Sequence, residues 1–199
     1  MYILLKNKIE LIWVKLISYL IKLEMHPESG RFYIYPSVRI DHPQNIILET
    51  GVALYRRGWI YAVPSTSEKA VIRIKSGTKI YDNFHITSTE KVEIGKNCLI
   101  NRNVLITDTI HNYEDIEIPV IEQGDRASAT IIGDDCWIGN NAAIISSRIG
   151  KHCIIGANTV IVNKTIPDYS VVGGNPGKIL KQYSAEEKKW VLIKQSLSH

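Results

Sequence analysis

The amino-acid sequence predicts an all-β fold: a parallel β-helix of six-residue repeats with a helix at each end. Three observations favour this fold. A large aliphatic residue recurs every six positions, a small residue occupies a second position of the same period, and one long polar segment interrupts both. The expected organisation is an N-terminal amphipathic helix over residues 1–25, the β-helix over 31–177 with an excursion loop at 107–130, and a C-terminal helix over 184–196.

The N-terminal segment has the spacing of an amphipathic helix. Its apolar residues alternate spacings of three and four, which predicts a seam that packs on the β-helix or on a neighbouring subunit. The seam consists of Tyr2, Leu5, Ile9, Ile12, Leu16, Tyr19 and Leu23. Additional apolar residues, among them Leu11 and Val14, make peripheral contact with the inner membrane face an alternative expectation. Interspersed lysines and glutamates, and the lack of a small-residue cleavage site, argue against a membrane span and a signal peptide.

The six-residue period begins after this helix. Neither a helical period of 3.6 nor the alternation of a plain strand generates it. Short strands joined by tight turns do, because each hexapeptide then supplies one strand and one corner, and the aliphatic residues stack as ladders between coils. Fifteen positions share the register: Leu48, Leu54, Ile60, Ile74, Ile80, Ile86, Ile94, Ile100, Ile106, Ile132, Ile138, Ile144, Ile149, Ile155 and Ile161.

Small or slender side chains lie four residues after the aliphatic position, where they fit beside a corner. All three cysteines, Cys98, Cys136 and Cys153, occupy this position, so we expect them to pack in the core rather than to bind metal or act as nucleophiles. They form neither a CxxC pair nor an even set, which argues against a disulfide framework and favours the cytoplasm.

The register breaks at two places. One residue is missing between Ile144 and Ile149, which predicts one tightened corner. The segment 107–130 is too polar and irregular to form a coil, and loops of this length inside a compact repeat are usually functional or disordered. After the repeats, Ser184 and Glu187 match a capping box, which predicts the C-terminal helix and assigns it no chemistry.

The composition limits the classes of partner. The net charge of +4 is mildly basic, and no cluster of lysine and arginine interleaves with aromatic residues, so a nucleic-acid partner is not expected. An anionic small ligand, or solubility alone, accounts for the surplus of cations.

Five segments resemble the hexapeptide-repeat acetyltransferases, in the branch that holds galactoside, maltose and capsule or exopolysaccharide O-acetyltransferases. They are ITDTIHNYED (106–115), IPVIEQG (118–124), IIGDDCWIGNNAAI (131–144), IGKHCIIGANTVI (149–161) and IPDYSVVGGNPGKIL (166–180). The resemblance extends from about Leu48 to Tyr183. It implies a left-handed β-helix that works as a homotrimer and transfers acetyl from acetyl-CoA to a hydroxyl of a sugar or glycan precursor.

In that family the histidine of the excursion loop is the catalytic base, and only His111 occupies this place. A sugar hydroxyl is nearly unionised at neutral pH, so its proton must be removed as it attacks, and imidazole titrates near that pH. Asp108 is expected either to orient the imidazole and shape the acceptor pocket or to cap a turn. Asn83 is the nearest match to the asparagine that holds the acceptor in the galactoside enzymes.

The resemblance also implies the donor contacts. The backbone N–H of Asn140 would stabilise the negative oxygen that forms when the thioester is attacked. Ala157 would contact the pantetheine arm through its backbone. Four residues would face the nucleotide end of acetyl-CoA, where ammonium groups suit its phosphates: Asn163, Lys164, Lys178 and Lys181.

Three alternative functions remain open from the sequence. An amino-sugar N-acetyltransferase needs the same base and the same donor. A zinc carbonic anhydrase of this fold needs three histidine ligands from neighbouring coils, and the six histidines make no such pair, so no metal is expected. A non-catalytic trimeric scaffold would keep the repeat but would not need His111.

Overall fold

A computed structural model describes residues 2–63 and 71–193, with side chains from residue 9 onward. After helix α1 (Tyr2–Lys22), the chain forms a left-handed parallel β-helix, as the sequence predicted. Each coil contributes one short strand to each of three parallel sheets, A, B and C, which together enclose a prism.

Coils 1 to 4 precede and include the excursion. Coil 1 comprises β1 (Tyr33–Ile34), β2 (Arg39–Asp41) and β3 (Ile46–Leu48), and coil 2 comprises β4 (Ala53–Leu54), β5 (Trp59–Ala62) and β6 (Ile72–Ile74). Coil 3 comprises β7 (Lys79–Ile80), β8 (His85–Ser88) and β9 (Val92–Ile94). Coil 4 holds β10 (Leu99–Ile100) and β11 (Leu105–Thr107), then the two excursion strands β12 (Thr109–His111) and β13 (Asp125–Ala127), and closes with β14 (Thr130–Ile132).

The later coils are uninterrupted. Coil 5 comprises β15 (Trp137–Ile138), β16 (Ala143–Ile145) and β17 (Arg148–Ile149), and coil 6 comprises β18 (Ile154–Ile155), β19 (Val160–Val162) and β20 (Thr165–Ile166). Coil 7 contributes β21 (Ser170–Gly173), followed by β22 (Lys178–Ser184) and β23 (Lys189–Leu192), which extend sheet A in antiparallel orientation. Short 3-10 helices occur at Pro43–Asn45 and Val120–Glu122.

The aliphatic ladders form the core. All fifteen residues of the predicted register are buried, with at most 3% of their surface exposed, which confirms the six-residue period. The strand register aligns them: Ile80, Ile100 and Ile138 are direct neighbours in sheet A. Burying one such side chain contributes about 1.5–3 kcal/mol, so the prism is stabilised along its whole length.

The cysteines pack as predicted. Each is free and buried, and each thiol lies beside a carbonyl of the next coil: Cys98 Sγ is 3.2 Å from the Gly133 oxygen and Cys136 Sγ is 3.1 Å from the Gly150 oxygen. The neighbouring thiols of Cys153 and Cys98, together with burial, raise the pKa of Cys136. The Cys136 thiol in turn lowers the pKa of Cys98 and Cys153, so it is the burial of all three side chains that agrees with a packing role.

The predicted tightened corner joins β16 to β17. Ser146 turns the chain there with a φ of 47°, in the left-handed region, and its N–H donates to the Thr107 carbonyl of the coil before. As a result Ile132 and Ile149 pair directly across sheet C although only 17 residues separate them.

Helix α1 contacts the first coil through a stripe other than the predicted seam. Val14 and Ser18 are buried, and Ser18 Oγ accepts a 2.7 Å hydrogen bond from the N–H of Ile34 in β1. The described seam residues instead face solvent: Ile9, Ile12, Leu16, Tyr19 and Leu23. Packing of the seam on the β-helix of the same chain was therefore a wrong expectation.

The predicted C-terminal helix over 184–196 is also wrong as far as residue 193, because β22 and β23 form an antiparallel pair there; residues 194–196 lie outside the described part. The capping interaction itself is present, since Ser184 Oγ accepts a 3.1 Å hydrogen bond from Glu187 N–H. It closes a turn between strands because β21 offers a free edge to β22, and Trp190 of β23 packs against Tyr183.

Candidate active site

The excursion is a β-hairpin, which we call the arm and define as residues 108–129. It leaves coil 4 after Thr107 and returns at Thr130, both of which are still strand residues, so the predicted limits are accurate to one residue. Strands β12 and β13 pair antiparallel, with His111 directly opposite Asp125. The sequence predicted an irregular loop, and the antiparallel pairing is what gives the arm a defined shape.

His111 is the last residue of β12, three residues after Asp108, and its side chain is 77% exposed. Its Nδ1 atom forms a short contact with an Asp125 carboxylate oxygen. When Nδ1 carries the proton that it donates to Asp125, the lone pair lies on Nε2, which is then the atom free to accept a proton. Sequence reasoning missed Asp125, because the two residues meet only through the register of the hairpin.

Polar contacts hold the rest of the arm. Arg126 pairs with Glu114, and this hydrogen bond lowers the pKa of Glu114. Gln123 Nε2 donates to the carbonyls of Asp115 and Ile118, both at 2.7 Å. Several large apolar side chains near the tip are exposed, including Ile116 at 91% and Ile121 at 90%. The arm therefore presents an apolar tip that its own chain does not cover.

Asp108 stands at the root of the arm and is fully buried. Its carboxylate accepts hydrogen bonds from the Ser88 and Thr109 hydroxyls at 2.6 and 2.7 Å. It also accepts from the backbone N–H groups of Thr89, Glu90 and Lys91 at 2.6–3.1 Å. These five donors occupy the carboxylate, which favours the turn-capping role over contact with the acceptor or the imidazole.

Asn83 lies at the corner between sheets A and B, whereas the arm leaves from the corner between sheets B and C. Its amide donates to Asn103 Oδ1 at 3.0 Å, Asn103 donates in turn to Asn141, and Asn141 to Asn158. Within one chain Asn83 belongs to this asparagine ladder, and the structure does not bring it beside His111.

Asn140 and Ala157 occupy equivalent positions in coils 5 and 6, at the same A–B corner. The equivalent N–H of Arg102 in coil 4 donates to Asn140 Oδ1 at 3.1 Å. In contrast, the backbone N–H groups of Asn140 and Ala157 donate to no acceptor within the described part of the chain. Both residues are exposed, so two neighbouring backbone donors remain available to a ligand.

The predicted nucleotide contacts lie at the C-terminal end of the prism. Lys164 Nζ donates to the Gly177 carbonyl at 2.7 Å, which holds it against the turn that follows β21. Lys178 and Lys181 are exposed on β22 and form no ion pair among the described residues. Asn163 turns the chain after β19, with a φ of 51° and its N–H donating to Ile145.

The three outer faces of the prism differ in polarity around these residues. In coils 4 to 6, sheet A presents Leu99, Trp137 and Ile154 outward, and sheet B presents Leu105, Ala143 and Val160. Sheet C presents Ile131, Arg148 and Thr165, a more polar set. The A–B corner with its free donors therefore lies between two largely apolar faces.

Comparison with known proteins finds a family model and a curated relative that each match part of the chain. The bacterial transferase hexapeptide (six repeats) family matches residues 129–163. A curated relative is WbbJ of Escherichia coli K12, whose name assigns it to lipopolysaccharide biosynthesis as an O-acetyl transferase. The chain is 35% identical to it over 131 residues, which span 61% of this chain and 66% of the relative, just under two thirds of that protein's length.

Two solved proteins share the fold. AntD, an N-acyltransferase from Bacillus cereus in complex with dTDP and 3-hydroxybutyryl-CoA, is 16% identical with a TM-score of 0.71, over 85% of this chain and 89% of AntD. The hexapeptide-repeat acetyltransferase VCA0836 from Vibrio cholerae is 21% identical with a TM-score of 0.56, over 83% of this chain and 78% of that one. The six-residue repeat and the β-helix are therefore features that this chain shares with hexapeptide-repeat transferases.

Proposed function

We propose that this protein transfers acetyl from acetyl-CoA to a hydroxyl of a sugar or cell-surface glycan precursor, with His111 as the general base. The observation on which the proposal rests is the pairing of His111 with Asp125 on an exposed arm, which leaves Nε2 available to the acceptor. The curated relative named as an O-acetyl transferase favours a hydroxyl acceptor. VCA0836, also solved in complex with acetyl-CoA, favours that donor.

The residues have distinct tasks in this reaction. Nε2 of His111 removes the hydroxyl proton as the acceptor oxygen attacks the thioester carbonyl. Asp125 stabilises the imidazolium that results, and the N–H of Asn140 donates to the negative carbonyl oxygen. The carbon–sulfur bond then breaks, CoA leaves as the thiolate, and the imidazolium returns the proton to the sulfur. Lys164, Lys178 and Lys181 bind the phosphates of the donor far from the bond that breaks.

The predicted homotrimer belongs to this proposal. His111 extends from the B–C corner, whereas Asn140 and Ala157 lie at the A–B corner, so one chain does not surround a bound donor. Two apolar outer faces and an apolar arm tip are surfaces that neighbouring copies would cover. Analytical ultracentrifugation should give three times the 22.5 kDa chain mass, and an active monomer would contradict the shared site.

The experiment that tests the catalytic assignment replaces His111 by alanine. We expect kcat to fall roughly 10²- to 10⁴-fold, the usual range for a positioned general base, with the KM for acetyl-CoA unchanged.

His152 supplies the matched control. It is a second exposed histidine whose Nδ1 lies 2.6 Å from a carboxylate oxygen of Asp135, but it is part of a prism corner. His152→Ala should therefore leave kcat close to that of the wild type. A folded His111→Ala enzyme with near wild-type turnover, or an equal loss in both variants, would reject His111 as the base.

An N-acetyltransferase is the second candidate, because AntD, an N-acyltransferase, has the higher TM-score of the two solved proteins. The same base and donor serve an amine acceptor. Turnover of acetyl-CoA against a panel of sugars, amino sugars and lipid-linked glycans, with the acetylated position located by NMR, distinguishes an ester product from an amide.

A further inference from the structure

We propose that helix α1 docks this protein on an anionic lipid surface. The helix lies in the plane of the interface, with its solvent-facing apolar side among the acyl chains and a neighbouring group of cations on the lipid phosphates. This function is separate from acetyl transfer, and neither requires the other.

The solvent-facing side of α1 is apolar without interruption. At 3.6 residues per turn, seven exposed residues form a continuous arc of about 120° that contains no charged residue and lies opposite the buried Val14 and Ser18. Between 46% and 71% of the surface of each is exposed: Ile9, Ile12, Trp13, Leu16, Tyr19, Leu20 and Leu23. Soluble proteins rarely leave a contiguous apolar patch of this kind to water, so the arc indicates a partner.

The two aromatic residues of the arc lie at its borders. On the helical projection Tyr19 marks one edge and Trp13 the other, with the five aliphatic residues between them. Tyrosine and tryptophan favour the boundary between acyl chains and headgroups, where the ring is apolar and its N–H or O–H is wet. This order of residues across the arc matches the depth profile of a membrane interface.

Cations flank the arc on the Tyr19 side. Lys15 and Lys22 of α1 and Arg31 of the following loop line a groove of about 610 Å³ together with Tyr19 and Tyr33. None of the three cations forms an ion pair with the side chains of residues 9–63 and 71–193. Of the acidic residues near the arc, Glu10 is paired with Arg56, and Glu24, in the turn after α1, is exposed, so the three cations outnumber the one carboxylate that has no ion pair among the described residues. The charge at this end of the molecule is thus complementary to lipid phosphate.

The geometry favours lying on the surface over crossing it. No helix in the described part of the chain is long and apolar enough to span a bilayer. A helix with one apolar side and flanking lysines binds instead in the plane of the interface, with the lysine stems along the acyl chains and the ammonium groups at the phosphates.

A second copy of α1 is the competing occupant, since the seam spacing also suits helix pairing. A pairing seam buries a narrower stripe than this arc and makes no use of the adjacent cations. An anionic lipid surface engages the aliphatic residues, the border aromatics and the three cations at once, which is why we assign it as the partner.

The test is co-sedimentation of the full chain with vesicles of phosphatidylcholine alone and with vesicles containing about a third phosphatidylglycerol. We expect binding to the anionic vesicles only, weakened by salt because the phosphate contacts are screened.

Lys15→Glu with Lys22→Glu should lower the partition coefficient at least about tenfold, since each basic residue near such a surface adds roughly 1 kcal/mol. Ile12→Ser with Leu16→Ser should lower it by removing apolar contact.

The control reverses two exposed lysines elsewhere, Lys79→Glu with Lys96→Glu, and should retain binding. Thermal unfolding of every variant checks the fold. Equal binding by the wild type to both vesicle types, or equal losses in the α1 and control variants, would overturn the proposal. A lower oligomeric state of the Ile12 and Leu16 variant without lipid, with vesicle binding intact, would assign the arc to a second copy instead.

Discussion

The prism and the arm are built by different means, although both are β-structure and the arm extends from coil 4 of the prism. In the prism every ladder residue is almost completely buried, and each position repeats in the coils above and below. The arm has no ladder: Ile116 and Ile121 are about nine-tenths exposed, and its shape depends on polar pairs such as His111 with Asp125. The repeat therefore specifies a rigid support, and the proposed chemistry lies where packing imposes the fewest demands on a side chain.

The largest contrast should appear in stability. Ile138→Ala removes a fully buried ladder residue and should lower the free energy of unfolding by about 2–5 kcal/mol, because a cavity remains between coils. Ile116→Ala at the exposed arm tip should change it by no more than about 0.5 kcal/mol. Urea unfolding of both variants measures the difference, and similar losses would mean that the arm is packed in solution.

The second-largest effect on stability is expected at Asp108, where the arm joins the prism. Asp108→Asn keeps the shape of the side chain but replaces one carboxylate oxygen by an NH₂ group that faces donors, so two or three of the five hydrogen bonds to this buried side chain are lost. We expect a loss of about 1–3 kcal/mol in unfolding free energy, together with lower turnover because the arm root is disturbed. Turnover that falls without any change in thermal stability would instead point to contact between Asp108 and substrate.

Asp125 allows a sharper test within the arm. If it orients His111 and stabilises its protonated form, Asp125→Asn should lower kcat about 10- to 100-fold, with an unchanged KM for acetyl-CoA and unchanged thermal stability. Asp125→Glu should recover part of the rate, whereas Asp135→Asn beside His152 should have no effect. A variant with full activity would restrict Asp125 to a structural role.

The smallest expected effect is a pH dependence in the prism. Burial lowers the pKa of His85, whose ring stacks on Trp59 at 4.6 Å. The unfolded chain therefore takes up a proton at a higher pH than the folded one, so stability should fall as the pH drops below about 6.5. His85→Phe keeps the stacking and should reduce the drop in melting temperature between neutral and mildly acidic pH by about 1–3 °C. An unchanged drop would show that other groups are responsible.

What could be predicted from the sequence depended on how local the determining contacts are. The aliphatic register, the buried cysteines and the tightened corner at Ser146 follow from a repeat that is visible in the sequence itself. The C-terminal helix was wrong because a serine cap looks the same at a helix start and at a turn, and the free edge of β21 decides between them.

The site was harder to predict from the sequence, because its residues meet through contacts that are distant along the chain. His111 stood out within its motif, but Asp125 lies 14 residues away and meets it only through the hairpin register. Spacing also identified the apolar seam of α1, but it did not show whether the seam packs on the β-helix or faces away from it. The stripe that packs on β1 centres on Val14 and Ser18, and the choice between two sides of one helix depends on contacts distant in sequence.

The stacking of coils fixes the axial distance between the two ends of the proposed site. Neighbouring strands lie about 4.8 Å apart, so the four steps along sheet A from β10 of coil 4, where the arm leaves, to β22, which carries Lys178 and Lys181, set an axial distance of about 19 Å. That distance changes only in whole coils, because a partial coil would turn the aliphatic ladders out of register. The distance between the proposed base and the proposed phosphate contacts can therefore change only in steps of one coil. A donor of different length would require the gain or loss of a whole coil of the β-helix.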